Sequence, residues 1–151
     1  MEKKSVKLNK PRYIGSSILA LSKTLMYEFH YTYMQETFKD CKLLFTDTDS
    51  FCYSIPDVEN VYEIIKDSDW FDFSNLPKNH PNFNESNKMV PGKFKDESPA
   101  NPILEFVGLR SKMYSMLTKD GDKKAVAKGV NNMITKRVLR LFFKLILPCY
   151  M

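Results

Sequence analysis

Two aspartates one residue apart, Asp47 and Asp49, are the residues of this sequence best suited to chemistry. They stand in the run LLFTDTDSFCYSI at positions 43–55, between an apolar segment and an alternating one. This pattern predicts two strands joined by a tight turn, with Thr48 and Ser50 shaping the turn. Carboxylates held together at a hairpin tip can bind a hard divalent cation, which prefers oxygen ligands and can bridge to a phosphate. The predicted chemistry is therefore metal-assisted phosphoryl transfer.

A purely structural reading of the same turn is open at this point. Asp, Thr and Ser are common in turns because their side chains bond to their own backbone. The flanking apolar strands favour the chemical reading, since a tight acidic pair between buried strands is costly unless a cation or hydrogen-bond donors compensate it.

A second candidate cluster lies in PILEFVGLRSKMY, positions 102–114, which has a strand-like pattern. If the segment is one continuous strand, Arg110, Lys112 and Tyr114 share one of its faces. Cations and a phenol on one face can bond a phosphate and pack against a sugar or base. An amphipathic strand with ordinary surface charges is the alternative.

These motifs together resemble family B DNA polymerases. The run FTDTDS resembles the third conserved motif of that family, in which a DTD hairpin on the palm carries metal-binding aspartates. LRSKMYSM resembles the downstream KxY motif, which contacts the primer terminus, and KKAVAKGVN resembles the lysine–glycine turn that leads toward the thumb. KPRYIGSSILALSKTLMYEFHY resembles the segment before the hairpin in the protein-primed branch, found in linear plasmids, some viruses, mitochondrial elements and Polinton-type transposons.

The resemblance implies a DNA-directed nucleotidyltransferase that uses Mg²⁺ or Mn²⁺ in DNA replication. It implies that Asp49 is the shared catalytic metal ligand and that Asp47 is the second one. The residues implied to hold the DNA and its primer end are Arg110, Lys112, Tyr114 and Lys128. The implied partners are primer–template DNA, deoxynucleoside triphosphates and a terminal protein that serves as primer.

Two parts of such an enzyme have no counterpart in the 151 residues. The family takes a further metal-binding aspartate from an upstream palm strand and selects nucleotides with a lysine-rich fingers helix. We therefore expect a partial palm domain at residues 1–131, with an incomplete two-metal site and the start of a thumb, that is inactive alone. Two other classes remain open: a non-catalytic DNA-binding remnant of a transposon or viral polymerase, and a structural protein whose acidic hairpin is only a turn.

The elements that must position these residues indicate an α+β fold, and the resemblance implies that its antiparallel sheet is of the palm type. Apolar residues recur at three- and four-residue intervals from Ile14 and predict a helix that runs to about Phe38. A short helix is predicted at 58–65. Five prolines at 74–102 predict a long irregular connection before the second cluster.

Charge and cysteine content narrow the class of protein further. The net charge is +5, and residues 108–151 hold ten Lys and Arg against two Asp and Glu, which fits a phosphate-backbone partner or a solvated basic face. Three cysteines without CxxC spacing favour a reducing compartment, and the basic N-terminus lacks the apolar stretch of a signal peptide. We expect an intracellular protein, in the nucleus or the cytoplasm.

The last segment, 132–151, departs from the family as an atypical basic-apolar tail. Its uncharged runs are far shorter than the roughly 20 residues of a membrane span, so no stable span is expected. An amphipathic helix on a membrane surface, a helix without its partner and an altered reading frame are the open readings.

Overall fold

The structure, a computed structural model, describes residues 10–99 and 101–129. The chain divides into two compact units, one ending at Lys39 and the other beginning at Asp40. Helices and two antiparallel sheets together confirm the α+β class. The predicted domain at 1–131 stays a prediction, and the predicted tail lies outside the described residues.

The first unit is one run of helical residues. Helix α1, Arg12–Glu28, starts directly after Pro11 and continues as a π-helical segment, Phe29–Met34, which ends in the short helix α2, Gln35–Thr37. The predicted bounds, Ile14 to about Phe38, agree with these limits, whereas the wider π-helical turns were not predicted.

Burial in the first unit is concentrated in the second half of the helical run. The buried residues there are Met26, Phe29, Met34 and Phe38. Ile18 and Leu21 belong to the apolar stripe that predicted the helix, yet they are 62% and 71% exposed. The periodicity therefore identified the helix correctly but did not distinguish its buried half from its exposed half.

The acidic hairpin opens the second unit as predicted. Strand β1, Lys42–Asp47, pairs antiparallel with strand β2, Ser50–Ser54. Asp47 stands opposite Ser50, so that two residues form the connecting turn. The strand–turn–strand prediction for positions 43–55 is confirmed. The expectation that the first strand is buried is wrong, since Leu43 and Leu44 are 37% and 38% exposed.

A three-stranded antiparallel sheet follows, with strand β4 in its centre. Its strands are β3, Ile103–Arg110, β4, Met113–Thr118, and β5, Lys123–Ala127. The central strand holds the most buried residues of this sheet, Ser115 and Met116.

The prediction of one continuous strand over 102–114 is wrong. The chain reverses at Ser111 and Lys112, and Arg110 pairs with Met113 across the turn. Lys112 adopts a left-handed backbone conformation with φ 58°, which ends the extended geometry. The alternating pattern continues across the turn because both strands of the hairpin are half-buried, and periodicity alone does not show where one ends.

The connection between the sheets is irregular, as predicted, but it is cross-linked by side chains. Helix α3, Val61–Ile65, is capped by Asn60, whose side-chain oxygen accepts a hydrogen bond from the backbone N–H of Tyr62. After α3, the backbone up to residue 99 makes turns and one parallel bridge, Phe71 to Phe94. The side-chain links across it include the ion pair between Lys95 and Asp72 at 2.9 Å.

Further side-chain bonds hold the same connection. The Tyr62 hydroxyl donates to Asp96, the Asn82 amide donates to the Tyr62 carbonyl at 2.9 Å, and the Asn87 amide donates to the Phe71 carbonyl at 2.9 Å. The apolar residues buried between them include Ile65, Phe73 and Leu76. In the part of the chain that the structure describes, no helix is long and apolar enough to cross a membrane.

Candidate active site

Aromatic stacking joins the acidic hairpin to the three-stranded sheet. Phe45 of β1 stacks on Tyr114 of β4 with ring centroids 4.6 Å apart, and on Phe106 of β3 at 5.5 Å. Such ring pairs contribute about 0.5–1.5 kcal/mol each beyond the area they bury. The strand before Asp47 therefore lies against the strand that carries Tyr114, although the two motifs are far apart in the sequence.

An ion pair connects the two motifs directly. The Lys112 ammonium lies 3.1 Å from Oδ1 of Asp47, and both side chains are 43% exposed. The hydrogen bond from Lys112 is the main cause that lowers the pKa of the Asp47 carboxyl, and burial opposes it. The hydroxyl of Thr48 and the charge of Lys128 lower this pKa as well. Asp47 is therefore ionised at neutral pH and already faces a cation.

The hairpin tip has a strained backbone. Thr48 has φ 61°, and its neighbour Asp49 donates its backbone N–H to the Asp47 carbonyl at 2.7 Å. The Ser50 hydroxyl donates to the same carbonyl at 3.1 Å. A β-branched residue at positive φ is a genuine outlier, and such strain costs on the order of 1–3 kcal/mol and is concentrated at functional sites. Thr48 and Ser50, the two residues predicted to shape the turn, thus both form a hydrogen bond to Asp47 through their hydroxyls. Thr48 also carries the strained backbone.

Asp49 occupies the exposed end of this turn. Among residues 10–99 and 101–129, no side chain forms an ion pair or hydrogen bond with its carboxylate. The two hairpin aspartates therefore differ, since one is paired with an ammonium and the other is open to solvent.

The donor set suits a weakly held divalent cation. Within the described residues, no three His, Cys, Asp or Glu side chains come together as a metal site. Mg²⁺ commonly uses only one or two carboxylates and fills its remaining positions with water and phosphate oxygens. Asp49 offers an open hard oxygen donor, and Asp47 already holds the Lys112 ammonium as a stand-in cation, so these residues fit such an ion.

A cleft of about 330 Å³ lies between β1 and the turn that joins β3 to β4. Its aromatic and charged lining consists of Phe45, Phe106, Tyr114, Asp47, Arg110 and Lys112. Burial, followed by the charges of Asp47 and Glu97, raises the pKa of the Tyr114 hydroxyl, which therefore keeps its proton and can donate a hydrogen bond. The cleft combines a flat apolar wall, two cations and one phenol donor.

Lys128 joins this group from the end of β5. Its backbone N–H donates to the Lys112 carbonyl at 3.0 Å, while its side chain is exposed and its charge acts on Asp47. Sequence reasoning named these cations but missed Phe45 and Phe106, which build the apolar wall. A signal for Phe45 was present, because it precedes Asp47 by two residues on a strand and so belongs to the same face.

Comparisons of this chain with protein-family models, curated proteins and solved structures found no match. Function is therefore inferred from the geometry of the cleft and from the sequence motifs. Half of the predicted site residues line this cleft, namely Asp47, Arg110, Lys112 and Tyr114. Asp49 stands at the tip of the hairpin that forms one side of the cleft.

Proposed function

We propose that this chain carries part of the palm of a protein-primed family B DNA polymerase, an enzyme that adds deoxynucleotides to a primer during DNA replication. The observation that carries the proposal is the 3.1 Å ion pair between Lys112 and Asp47. Each residue belongs to a different polymerase-like motif, and each motif was identified from sequence alone. A polymerase palm is expected to bring these two motifs together in one cleft. A protein whose acidic hairpin is only a turn gives no reason for them to meet.

Each residue has a defined role in this proposal. Asp49, with Asp47 as the second ligand, holds divalent cations, which when bound stabilise charge on the attacking and leaving oxygens of an in-line displacement. Lys112 pairs with a phosphate near the primer end, and Tyr114 donates its hydroxyl to the phosphate or sugar beside it. Arg110 and Lys128 extend the basic surface along the DNA backbone. Deoxynucleoside triphosphates and a terminal protein primer complete the reaction that we propose.

A second candidate is a DNA-binding protein without catalytic activity, a remnant of a transposon or viral polymerase. The observation that favours it is the state of the hairpin: Asp47 is already neutralised by Lys112, and the described residues bring no third carboxylate to the pair. Three cations around an aromatic cleft are sufficient to bind DNA weakly even when no chemistry follows.

Iron-directed cleavage of DNA distinguishes the two candidates. The chain is mixed with end-labelled primer–template DNA, Fe²⁺ in place of Mg²⁺, ascorbate and peroxide, so that any protein-bound iron releases hydroxyl radicals where it is held. The palm proposal predicts cuts concentrated within a few nucleotides of the primer 3′ end, and their loss in Asp49→Asn. Asp57→Asn, which removes an equal charge from an exposed turn outside the cleft, should keep the wild-type cuts.

The outcomes separate clearly. DNA binding with cuts at the primer end supports the palm. Binding without cuts at the primer end beyond those that iron produces on the DNA alone, or with primer-end cuts unaffected by Asp49→Asn, refutes the palm and leaves the non-catalytic DNA-binding protein. Absence of DNA binding refutes both.

A further inference from the structure

The Lys112 ammonium sits on a carboxylate that the proposed function assigns to a metal ion. It lies 3.1 Å from Asp47 Oδ1, within the range at which an ammonium neutralises a carboxylate. The same lysine is the residue that the proposed function assigns to a primer phosphate. One positive charge is thus claimed by two anionic partners, and it neutralises each of them less when it is shared between them.

We propose that Lys112 is an exchange switch that couples DNA binding to metal binding. In the free protein it pairs with Asp47. When DNA enters the cleft, the ammonium moves to a backbone phosphate and Asp47 becomes available to a divalent cation. This inference rests on the proposed function and adds a regulation that the function by itself does not require.

The local structure holds the backbone of Lys112 while leaving its side chain able to move. Its carbonyl accepts the Lys128 N–H at 3.0 Å, and the turn is closed by the pairing of Arg110 with Met113. Its side chain is 43% exposed and carries its charge on a flexible four-carbon stem. The exchange therefore needs only new side-chain rotamers, with no shift of β3 or β4.

The ion pair with Asp47 is weak enough for Lys112 to leave it, as a switch requires. An ion pair at this exposure contributes little, because water and salt screen it. A lysine that meets a DNA phosphate releases a condensed counterion, which favours the phosphate at low salt. Lys128 adds a second positive charge near Asp47, so the carboxylate is not left uncompensated while the exchange takes place.

Thermodynamic linkage makes the coupling reciprocal. If DNA raises the affinity of the hairpin for a divalent cation by some factor, the cation must raise the affinity for DNA by the same factor. A cation is then held about two- to fivefold more tightly where a DNA backbone is present, so that DNA favours occupation of the site.

Manganese titration tests the switch without reference to activity. Free Mn²⁺ is measured by electron paramagnetic resonance, for the chain alone and with saturating primer–template DNA, after subtraction of the Mn²⁺ bound by the DNA itself. In the absence of DNA, Lys112→Met should bind Mn²⁺ about two- to fivefold more tightly than wild type, the range set by exposed ion pairs. Addition of DNA should tighten Mn²⁺ binding by a similar factor in wild type and by none in Lys112→Met.

Two further variants complete the test. Lys124→Met removes the same charge from an exposed position of β5 and should behave as wild type in both titrations. Glycine adopts φ 58° without strain, so the turn of Lys112→Gly should form at least as easily as that of the wild type. This variant removes the same charge as Lys112→Met. Both Lys112 variants should give the same result.

Failure of the switch can be told apart from failure of the polymerase proposal. If wild type binds DNA and Mn²⁺, but the Lys112 variants show unchanged DNA-free affinity or keep the DNA effect, the exchange is wrong and the palm proposal stands. If wild type does not bind DNA, both are wrong.

Discussion

Replacement of Lys112 by alanine should reduce the salt dependence of DNA binding. The cations around the cleft are Arg110, Lys112 and Lys128, one from the end of β3, one from the turn and one from the end of β5. If each neutralises one phosphate, the logarithm of the association constant should fall with the logarithm of salt at a slope of about −2.7, from about −0.9 per contact on duplex DNA. The alanine variant should give a slope of about −1.8.

These slopes correspond to differences that are easy to measure. Between 50 and 200 mM salt, wild type should lose about 40-fold in affinity and Lys112→Ala about 12-fold. Fluorescence anisotropy of a labelled primer–template at four or five salt concentrations gives both slopes. Two primer–templates of unrelated sequence should give equal affinities, because the proposed contacts are to phosphate and sugar and not to base edges.

A matched control separates the phosphate contact from net charge. Lys88→Ala removes the same charge from the connection, where this lysine pairs with Glu85 at 2.6 Å, and should leave the slope unchanged. If Lys112→Ala retains the wild-type slope, this lysine does not touch the DNA backbone. Its primer-end role would then have to be withdrawn, and the ion pair with Asp47 would be purely structural.

Four other predictions concern the two aspartates, Tyr114, the activity of the chain and the Asp72 carboxylate. Asp49→Ala should remove more Mn²⁺ binding than Asp47→Ala in a direct titration, because the first carboxylate is open and the second already holds an ammonium; equal losses would contradict this. Tyr114→Phe should weaken DNA binding and leave the salt slope unchanged, since the stacked ring remains and only the hydroxyl is lost; a changed slope would show that the ring position has shifted. The chain alone should not extend a primer, because no motif of its sequence resembles the upstream palm aspartate or the fingers helix of the family; templated incorporation free of contaminating polymerase would refute this. Burial raises the pKa of Asp72, but Lys95 and the hydroxyl and N–H groups of Ser74 outweigh it and hold this pKa at about 2. The ionised carboxylate should therefore stabilise the fold by about 1–2 kcal/mol above pH 4, and this effect should decline as the pH falls through the folded pKa of about 2. Asp72→Asn should lower the thermal midpoint clearly more at pH 7 than at pH 2, and an equal loss at both pH values would show that the ionised carboxylate is not responsible.

Local chemistry was sufficient to predict the hairpin. An apolar run, four turn-forming residues and an alternating run specify two strands and the tight turn between them, and the structure has them at Lys42–Asp47 and Ser50–Ser54. The long helix was predicted for the same reason, since its periodicity is carried by neighbouring residues. Both predictions depend on contacts within a few positions of each other.

The turn at Lys112 and the aromatic wall could not be predicted in this way. A lysine at φ 58° has no sequence signature, because glycine or asparagine is the residue expected there. The stacking of Phe45 on Phe106 and Tyr114 depends on how two separate sheets pack against each other. The local sequence pattern carries no signal for such a contact. The motif resemblance suggested that the two clusters share a site, but the ion pair and its consequence for Asp47 came from the geometry.

The cross-linked connection has a consequence for how the second unit opens in solution. The sheets retain their backbone through ladders of hydrogen bonds, whereas residues 66–99 are held by isolated turns and by a few side-chain bonds such as those of Asn82 and Asn87. Amide protons in the connection should exchange with deuterium early and nearly together, while those of β4 should exchange last, because it is paired on both sides. We therefore expect the connection to open as a cooperative unit of its own, before the two sheets do.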